Sequence, residues 1–197
     1  MRRTEVSIMK KKLVFIGNSI VNGFPWKRSQ CFVSLVREST GYDVFNKGIN
    51  GDTTGNIMRR FGKDVIGNNP DQVFILTGTN DFIYDNLSPA QVYMNIAAMA
   101  ETAADNGICP VLITPLPVDA EMASRLWMTG SVTDYSEVNR QLEELSRIIR
   151  NGELEFIDLN REYRKCGLYH DGVHPTPEGH AFIAQVILRR INQDITL

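Results

Sequence analysis

Cysteine and histidine are scarce in this sequence, long apolar runs are missing, and neither sign of charge prevails. The three cysteines, Cys31, Cys109 and Cys166, are scattered, odd in number and in no metal-ligand spacing. They read as reduced thiols of a cytoplasmic protein rather than as a disulfide framework or a zinc site. No stretch approaches the ~20 apolar residues that a membrane-spanning helix needs. With 21 Lys and Arg against 23 Asp and Glu the formal net charge is −2, which gives no support for nucleic-acid binding. The basic start, Met1-Arg2-Arg3 and Lys10-Lys11-Lys12, could suggest the head of a signal peptide. The apolar stretch behind it is too short for that and runs straight into the first glycine-rich motif, so it reads as a tail ahead of the first strand. A length of 197 residues suits a single domain over residues 1–197 with a core of its own. No repeat, low-complexity tract or linker marks a boundary inside it.

What the chain does have is an alternation of short apolar runs with longer helical periods. The runs at 13–17, 44–47, 72–78, 110–114 and 154–157 read as strands, and 31–39, 54–67, 89–105, 135–150 and 177–192 read as helices. Ser88 ahead of Pro89, and Thr176 ahead of Pro177, have the form of an N-cap followed by proline at the first helical position. Gly107 stands where the third of these helices should stop. Strands so uniformly apolar suit a parallel sheet covered on both faces. Joined through helices by right-handed crossovers, they imply an α/β fold. The expected architecture is a three-layer α/β/α sandwich with a five-stranded parallel sheet in the flavodoxin-like order 2-1-3-4-5.

The chemistry-bearing residues gather at the ends of these elements. The first apolar run stops at Gly17-Asn18-Ser19-Ile20, and a residue just past the end of a buried strand lies where an open α/β sheet keeps its ligands. A serine hydroxyl is a weak nucleophile until a histidine takes its proton and a third group orients that histidine. His170-Asp171-Gly172-Val173-His174-Pro175, ahead of the last helix, offers both: His174 as the base and Asp171 as the acid that orients it. The chain order Ser…Asp…His is one of several that reach this geometry. Two further motifs lie between, Asn46-Lys47-Gly48-Ile49-Asn50-Gly51-Asp52-Thr53 and Gly78-Thr79-Asn80-Asp81, each following an expected strand. Acyl transfer needs donors aimed at the oxygen that becomes negative. A glycine lets a backbone N–H come close, and an asparagine amide carries two N–H groups. Gly51 and Asn80 have that chemistry.

The segments GNSI, INGDT, GTND and DGVHP, in this order over residues 17–175, resemble the blocks of the SGNH (GDSL-type) esterase/lipase family. The resemblance covers nearly the whole chain. It implies Ser19 as nucleophile, His174 as general base and Asp171 as its orienting acid. It also implies an oxyanion hole formed by the N–H of Ser19, by Gly51 and by Asn80, and it implies the sheet order given above. One block departs from the family: its usual aspartate is Asn18 here, which keeps local hydrogen bonding and loses a charge. The implied reaction is cleavage of a small-molecule carboxylic ester through an acyl-enzyme, with no cofactor and no metal. The family includes lipases, thioesterases, lysophospholipases and sugar-acetyl esterases, and a small cytoplasmic protein favours short acyl groups.

Blander readings stand beside these. Ser19 could cap a turn, Asp171-Gly172 could be only a turn pair, and Asn80 could be only a loop residue. Asp52 and Asp81 read as loop-shaping acceptors, Gly48 as backbone geometry at a strand end, and His180 as structural. His170 and His174, with Asp171 and His180, could suggest metal ligands, but an i, i+4 pair makes a metal face only on a helix, and Asp-Gly argues against one there. The irregular stretch 116–133, with Met122, Leu126, Trp127 and Met128, reads as a lid or acyl/alcohol pocket wall over the sheet edge that holds Ser19, or else as a surface helix packing Trp127 into the core. Trp26 and Phe24, just beyond the nucleophile turn, line either the pocket or the core. Two other functions compete: a catalytically weak small-molecule binding module, supported by Asn18, and a nucleotide binder. The latter lacks a P-loop lysine and the GxGxxG spacing.

Overall fold

A computed structural model of the protein describes residues 10–127 and 132–193; Met128 and most of the basic start therefore lie outside the described residues. The strands are β1 (Lys12–Gly17), β2 (Asp43–Gly48), β3 (Gln72–Leu76), β4 (Cys109–Ile113) and β5 (Phe156–Ile157). They form one parallel sheet in the order β2-β1-β3-β4-β5, the order expected. The helices are α1 (Ser19–Asn22), α2 (Phe32–Thr40), α3 (Thr54–Asp64), α4 (Pro89–Asp105), α5 (Ala120–Leu126), α6 (Tyr135–Asn151), α7 (Leu159–Tyr163) and α8 (Pro177–Gln193).

Side chains alternate across the strands and divide the core in two. Val14 and Ile16 of β1 join Ile57 and Phe61 of α3, Ile96 and Met99 of α4, and Leu142 and Leu145 of α6. Leu13 and Phe15 point the other way, to Phe32 and Val36 of α2 and to Ile183 and Ile187 of α8. Phe15 stacks on Phe74 of β3 at 4.5 Å and meets the edge of Phe32 at 5.7 Å. Burial on both faces explains why the strands read as continuous apolar runs.

The register then positions the site. Gly17, the last residue of β1, lies opposite Gly48 of β2 and Leu76 of β3, so three strands end at one level. The segments carrying Ser19, Gly51 and Asn80 leave the sheet together at that edge. The close approach needs glycine at position 48, because a Cβ there would lie 2.1 Å from the Asn22 nitrogen. β3 stops at Leu76, earlier than the expected 78, and Thr77 and Gly78 already belong to the loop. α3 also ends early, at Asp64, and a separate turn at Ile66–Asn68 completes the stretch expected to be helical. The irregular stretch 116–133 contains α5, whose Asp119 cap accepts from the Met122 N–H at 2.9 Å. Seven residues with only Ala123 buried are too few to show a period.

Candidate active site

Ser19 is the first residue of α1, two positions beyond β1. Asn18 is the N-cap of that helical turn, and its Oδ1 accepts from the Ile20 N–H at 3.0 Å. The hydroxyl of Ser19 lies 2.9 Å from His174 Nε2. His174 comes from the loop between α7 and α8. An antiparallel bridge pairs Tyr169 with Pro175, and the His170 N–H donates to the His174 carbonyl at 2.8 Å. This closes a tight loop that sets Asp171 beside His174. The Nδ1 of His174 lies 2.8 Å from Asp171 Oδ2, while Asp171 Oδ1 accepts from the backbone N–H groups of Val173 at 3.0 Å and His174 at 2.8 Å. Asp171 is therefore both the turn former and the partner of the imidazole.

With the imidazole neutral, Nδ1–H donates to Asp171 and Nε2 is free to accept from Ser19. Burial alone would raise the Asp171 carboxyl. The bonds from the His174 ring and from the His174 and Val173 backbone outweigh it and hold the group below its ordinary value. The row is nearly dry: Ser19 is 8 % exposed, Asp171 6 % and His174 1 %. Phe24 and Trp127 approach the His174 ring edge-on, at centroid distances of 5.0 and 4.6 Å.

The neighbouring loops are fixed by polar side chains. Asn80 Nδ2 donates to the Asp52 carbonyl at 2.9 Å. Asp52 accepts from Arg60 at 2.7 Å through its carboxylate. Asp81 is fully buried and receives the Thr54 N–H at 2.9 Å and the Thr54 hydroxyl, whose oxygen in turn accepts from Asn95 at 2.8 Å. Burial raises the Asp81 carboxyl above its ordinary value despite these bonds. Both acids shape loops, as read from the sequence.

A pocket of about 270 Å³ opens beside Ser19, lined by Ser19, Phe24, Asn50, Gly51, Asn80, Tyr84, Trp127, Val173 and His174. Gly51 and Asn80 thus face the same space as Ser19 and His174. Of the residues expected in its wall, Trp127 lines it. Trp26 does not: its indole N–H donates to the Pro175 carbonyl at 2.8 Å, and its ring lies against His170, which braces the loop from behind. Leu126 does not either, being 59 % exposed on the outer side of α5. Asn50 and Tyr84 were not anticipated. Asn50 adjoins Gly51, a position that could have drawn notice, whereas Tyr84 stands on a turn, Asp81–Asp85, that carries no period to read. His180 is buried against Phe32, and among the described residues no three His, Cys, Asp or Glu side chains gather into a metal site. No helix among the described residues is long and apolar enough to cross a membrane.

The sheet order, with Ser19, His174 and Asp171 in a hydrogen-bonded row at the ends of its strands, defines the class of fold: a three-layer α/β protein. The chain belongs to the GDSL-like Lipase/Acylhydrolase family, whose model matches residues 15–182. It is 27% identical over 171 residues to an acetylxylan esterase of Geobacillus stearothermophilus, covering 81% of this chain and 76% of that protein. It is 26% identical over 186 residues to an arylesterase of Vibrio mimicus, covering 92% and 88%. Among solved structures, a lipase/acylhydrolase from Enterococcus faecalis superposes with a TM-score of 0.73 at 26% identity, covering 93% of this chain and 96% of that one. The family and these relatives place the protein among the carboxylic ester hydrolases.

Proposed function

We propose that the protein cleaves esters of short carboxylic acids by a two-step acyl-enzyme route with Ser19 as nucleophile. The observation that carries this reading is the continuous row from Ser19 Oγ to His174 to Asp171, with contacts of 2.9 and 2.8 Å. His174 Nε2 takes the hydroxyl proton as Ser19 Oγ bonds to the ester carbonyl carbon. The carbonyl oxygen becomes an oxyanion, facing the N–H groups of Ser19 and Gly51 and the Asn80 amide. The intermediate collapses, the C–O bond to the alcohol breaks, and the imidazolium returns its proton to the leaving oxygen. Water, deprotonated by His174, then attacks the acyl-Ser19 ester, and breakage of the acyl–Oγ bond releases the acid and restores the serine.

Short acyl groups are supported by the pocket: about 270 Å³ is below the ~300–1,000 Å³ of sites for drug-sized ligands. Its walls include three aromatic side chains, Phe24, Tyr84 and Trp127. The resemblance to an acetylxylan esterase supports acetyl esters within that class. Free Cys31, Cys109 and Cys166 support a reducing compartment such as the cytoplasm. The rival reading of a binding module rested on Asn18. Its Oδ1 caps Ile20 with the same acceptor atom a carboxylate would offer, so the substitution gives that rival no structural support.

Ser19→Ala is the decisive variant. The far-UV circular dichroism spectrum should match that of the parent while kcat on a p-nitrophenyl acetate substrate drops by about 10³-fold or more. Retention of more than about a tenth of kcat would overturn the assignment. A series of acyl esters from acetyl to octanoyl, with acetylated xylo-oligosaccharides alongside, should show kcat/KM falling with chain length.

A further inference from the structure

Arg60 of α3 ties the end of β1, from which the nucleophile turn departs, to the loop holding the oxyanion donors, a link that Asn22 also makes by donating to Asn50 Oδ1 at 2.7 Å. Its Nε donates to Asp52 Oδ2 at 2.7 Å, its Nη1 to Asp64 Oδ2 at 2.8 Å, and its Nη2 to the carbonyl of Gly17 at 3.0 Å. Gly17 ends β1 two residues before Ser19, and its carbonyl also accepts the Ile49 N–H at 3.1 Å, at the root of the loop that carries Gly51. Asp52 follows Gly51 directly, and its own carbonyl takes one N–H of the Asn80 amide at 2.9 Å. Asp64 is held in place from its other side by Lys47, at 3.6 Å. The guanidinium is largely shielded, with its side chain 15 % exposed.

We propose that Arg60 is a positioning residue for the oxyanion hole, registering the Ser19, Gly51 and Asn80 donors to one another. The inference rests on the esterase reading above. A planar guanidinium can serve three acceptors at fixed angles, which an ammonium on a flexible stem cannot. Without it the Asp52 carboxylate loses a charged partner, and the Gly51–Asp52 segment loses one of its ties to the end of β1, keeping the Ile49 bond to the Gly17 carbonyl and the Asn22–Asn50 bond. The Asn80 amide loses its register because its anchor is the Asp52 carbonyl. Donors displaced by about 1 Å no longer meet the developing charge, and such a shift costs on the order of 10²-fold in rate.

The test pairs Arg60→Gln and Arg60→Lys with Asn80→Ala, measuring kcat and KM on p-nitrophenyl acetate and thermal melting for each. Arg60→Gln should lower kcat by about ten- to a hundredfold with KM within about threefold. On the Asn80→Ala background the same change should cost at least about fivefold less, because the donor it positions is gone. Arg60→Lys should recover most of the melting temperature and little of kcat. If Arg60→Gln does not fold, Arg60→Lys carries the same comparison across the Asn80→Ala background. Penalties that multiply fully, or full rescue of kcat by lysine, would overturn the proposal, and so would a silent Arg60→Gln. The exposed pair Arg140–Glu137 supplies the control: Arg140→Gln should leave kcat unchanged. Ser19→Ala, run in the same assay, separates the two ideas: an active Ser19→Ala defeats the esterase reading, while an inactive one with a silent Arg60→Gln defeats only this inference.

Discussion

Asn80 carries two amide N–H groups, and the fold uses one of them on the Asp52 carbonyl at 2.9 Å. That bond fixes the plane of the amide, and the residue lines the pocket beside Ser19. A donor fixed before substrate arrives stabilises charge without reorganising, and removing one such donor commonly costs about 10²–10³ in kcat. Asn80→Ala should therefore lower kcat by about that factor and leave KM nearly unchanged. If steady-state kinetics showed KM rising with kcat intact, Asn80 would be a binding or loop residue. Single residues were legible where a motif ties chemistry to a chain reversal. Ser19 lies at a strand end, Asp171 and His174 flank an Asp-Gly turn, and the structure brings these three within hydrogen-bond reach. Trp26 and Leu126 were not legible, because proximity along the chain does not say which way a side chain points. Trp26 turns toward Pro175 and Leu126 toward solvent. Arg60 was hidden for a related reason: its Gly17 acceptor lies 43 residues away.

Among the elements, the long ones announced themselves. α4 begins at Pro89 behind a capping box between Ser88 and Gln91, and its expected span of 89–105 is the span observed. Of the short elements, α1 and α7 left no mark in the sequence, and α5 was only the alternative reading of its stretch, because four to seven residues hold fewer than two turns of period. Yet α1 carries Ser19, and α5 supports the opposite side of the site. Gly172 sits against the first turn of α5 with φ +90, and a Cβ there would lie 2.3 Å from the Ala123 nitrogen and 2.6 Å from the Asp119 carbonyl oxygen. The Asp119 N–H in turn donates to the Gly172 carbonyl at 2.8 Å. Position 172 thus combines a left-handed backbone with contact against another backbone, and neither can yield cheaply. Gly172→Ala should cost about 2–3 kcal/mol of stability and lower kcat by at least about tenfold, since Asp171 and His174 flank the strained residue. Urea denaturation together with kcat checks both. Unchanged kcat in a destabilised variant would show that the loop tolerates movement without disturbing the Ser19–His174 contact.

At the scale of the whole molecule, two apolar layers clamp the sheet, and the layer formed by α2 and α8 buries an ionisable ring, that of His180. Its ring stacks on Phe32 at a centroid distance of 6.0 Å, it is fully buried, and among the described residues neither ring nitrogen has a hydrogen-bond partner. The site therefore accepts the neutral ring and resists the charged one. Burial, reinforced by the nearby His174, lowers its pKa from 6.5 to about 4. In the unfolded chain the same ring takes a proton below pH ~6.5. Between these two values the unfolded state binds more protons than the folded one, so stability rises with pH across the interval and falls as pH drops through it. The full contribution is present above pH ~6.5 and is lost by pH ~4. At ~1.4 kcal/mol per pH unit it amounts to about 3 kcal/mol, a large share of the 5–15 kcal/mol typical of a folded domain. Asp171, held below its ordinary value, adds its own loss, because a carboxylate favoured in the folded state is protonated there last and withdraws its stabilisation as pH falls through that lowered value. His180→Leu removes the proton site while keeping an apolar side chain against Phe32. Chemical denaturation at pH 7 and pH 4.5 should then show a much smaller loss of stability for the variant than for the parent chain. A variant that lost as much between the two pH values would assign the acid sensitivity to the carboxylates and leave His180 as a packing residue alone.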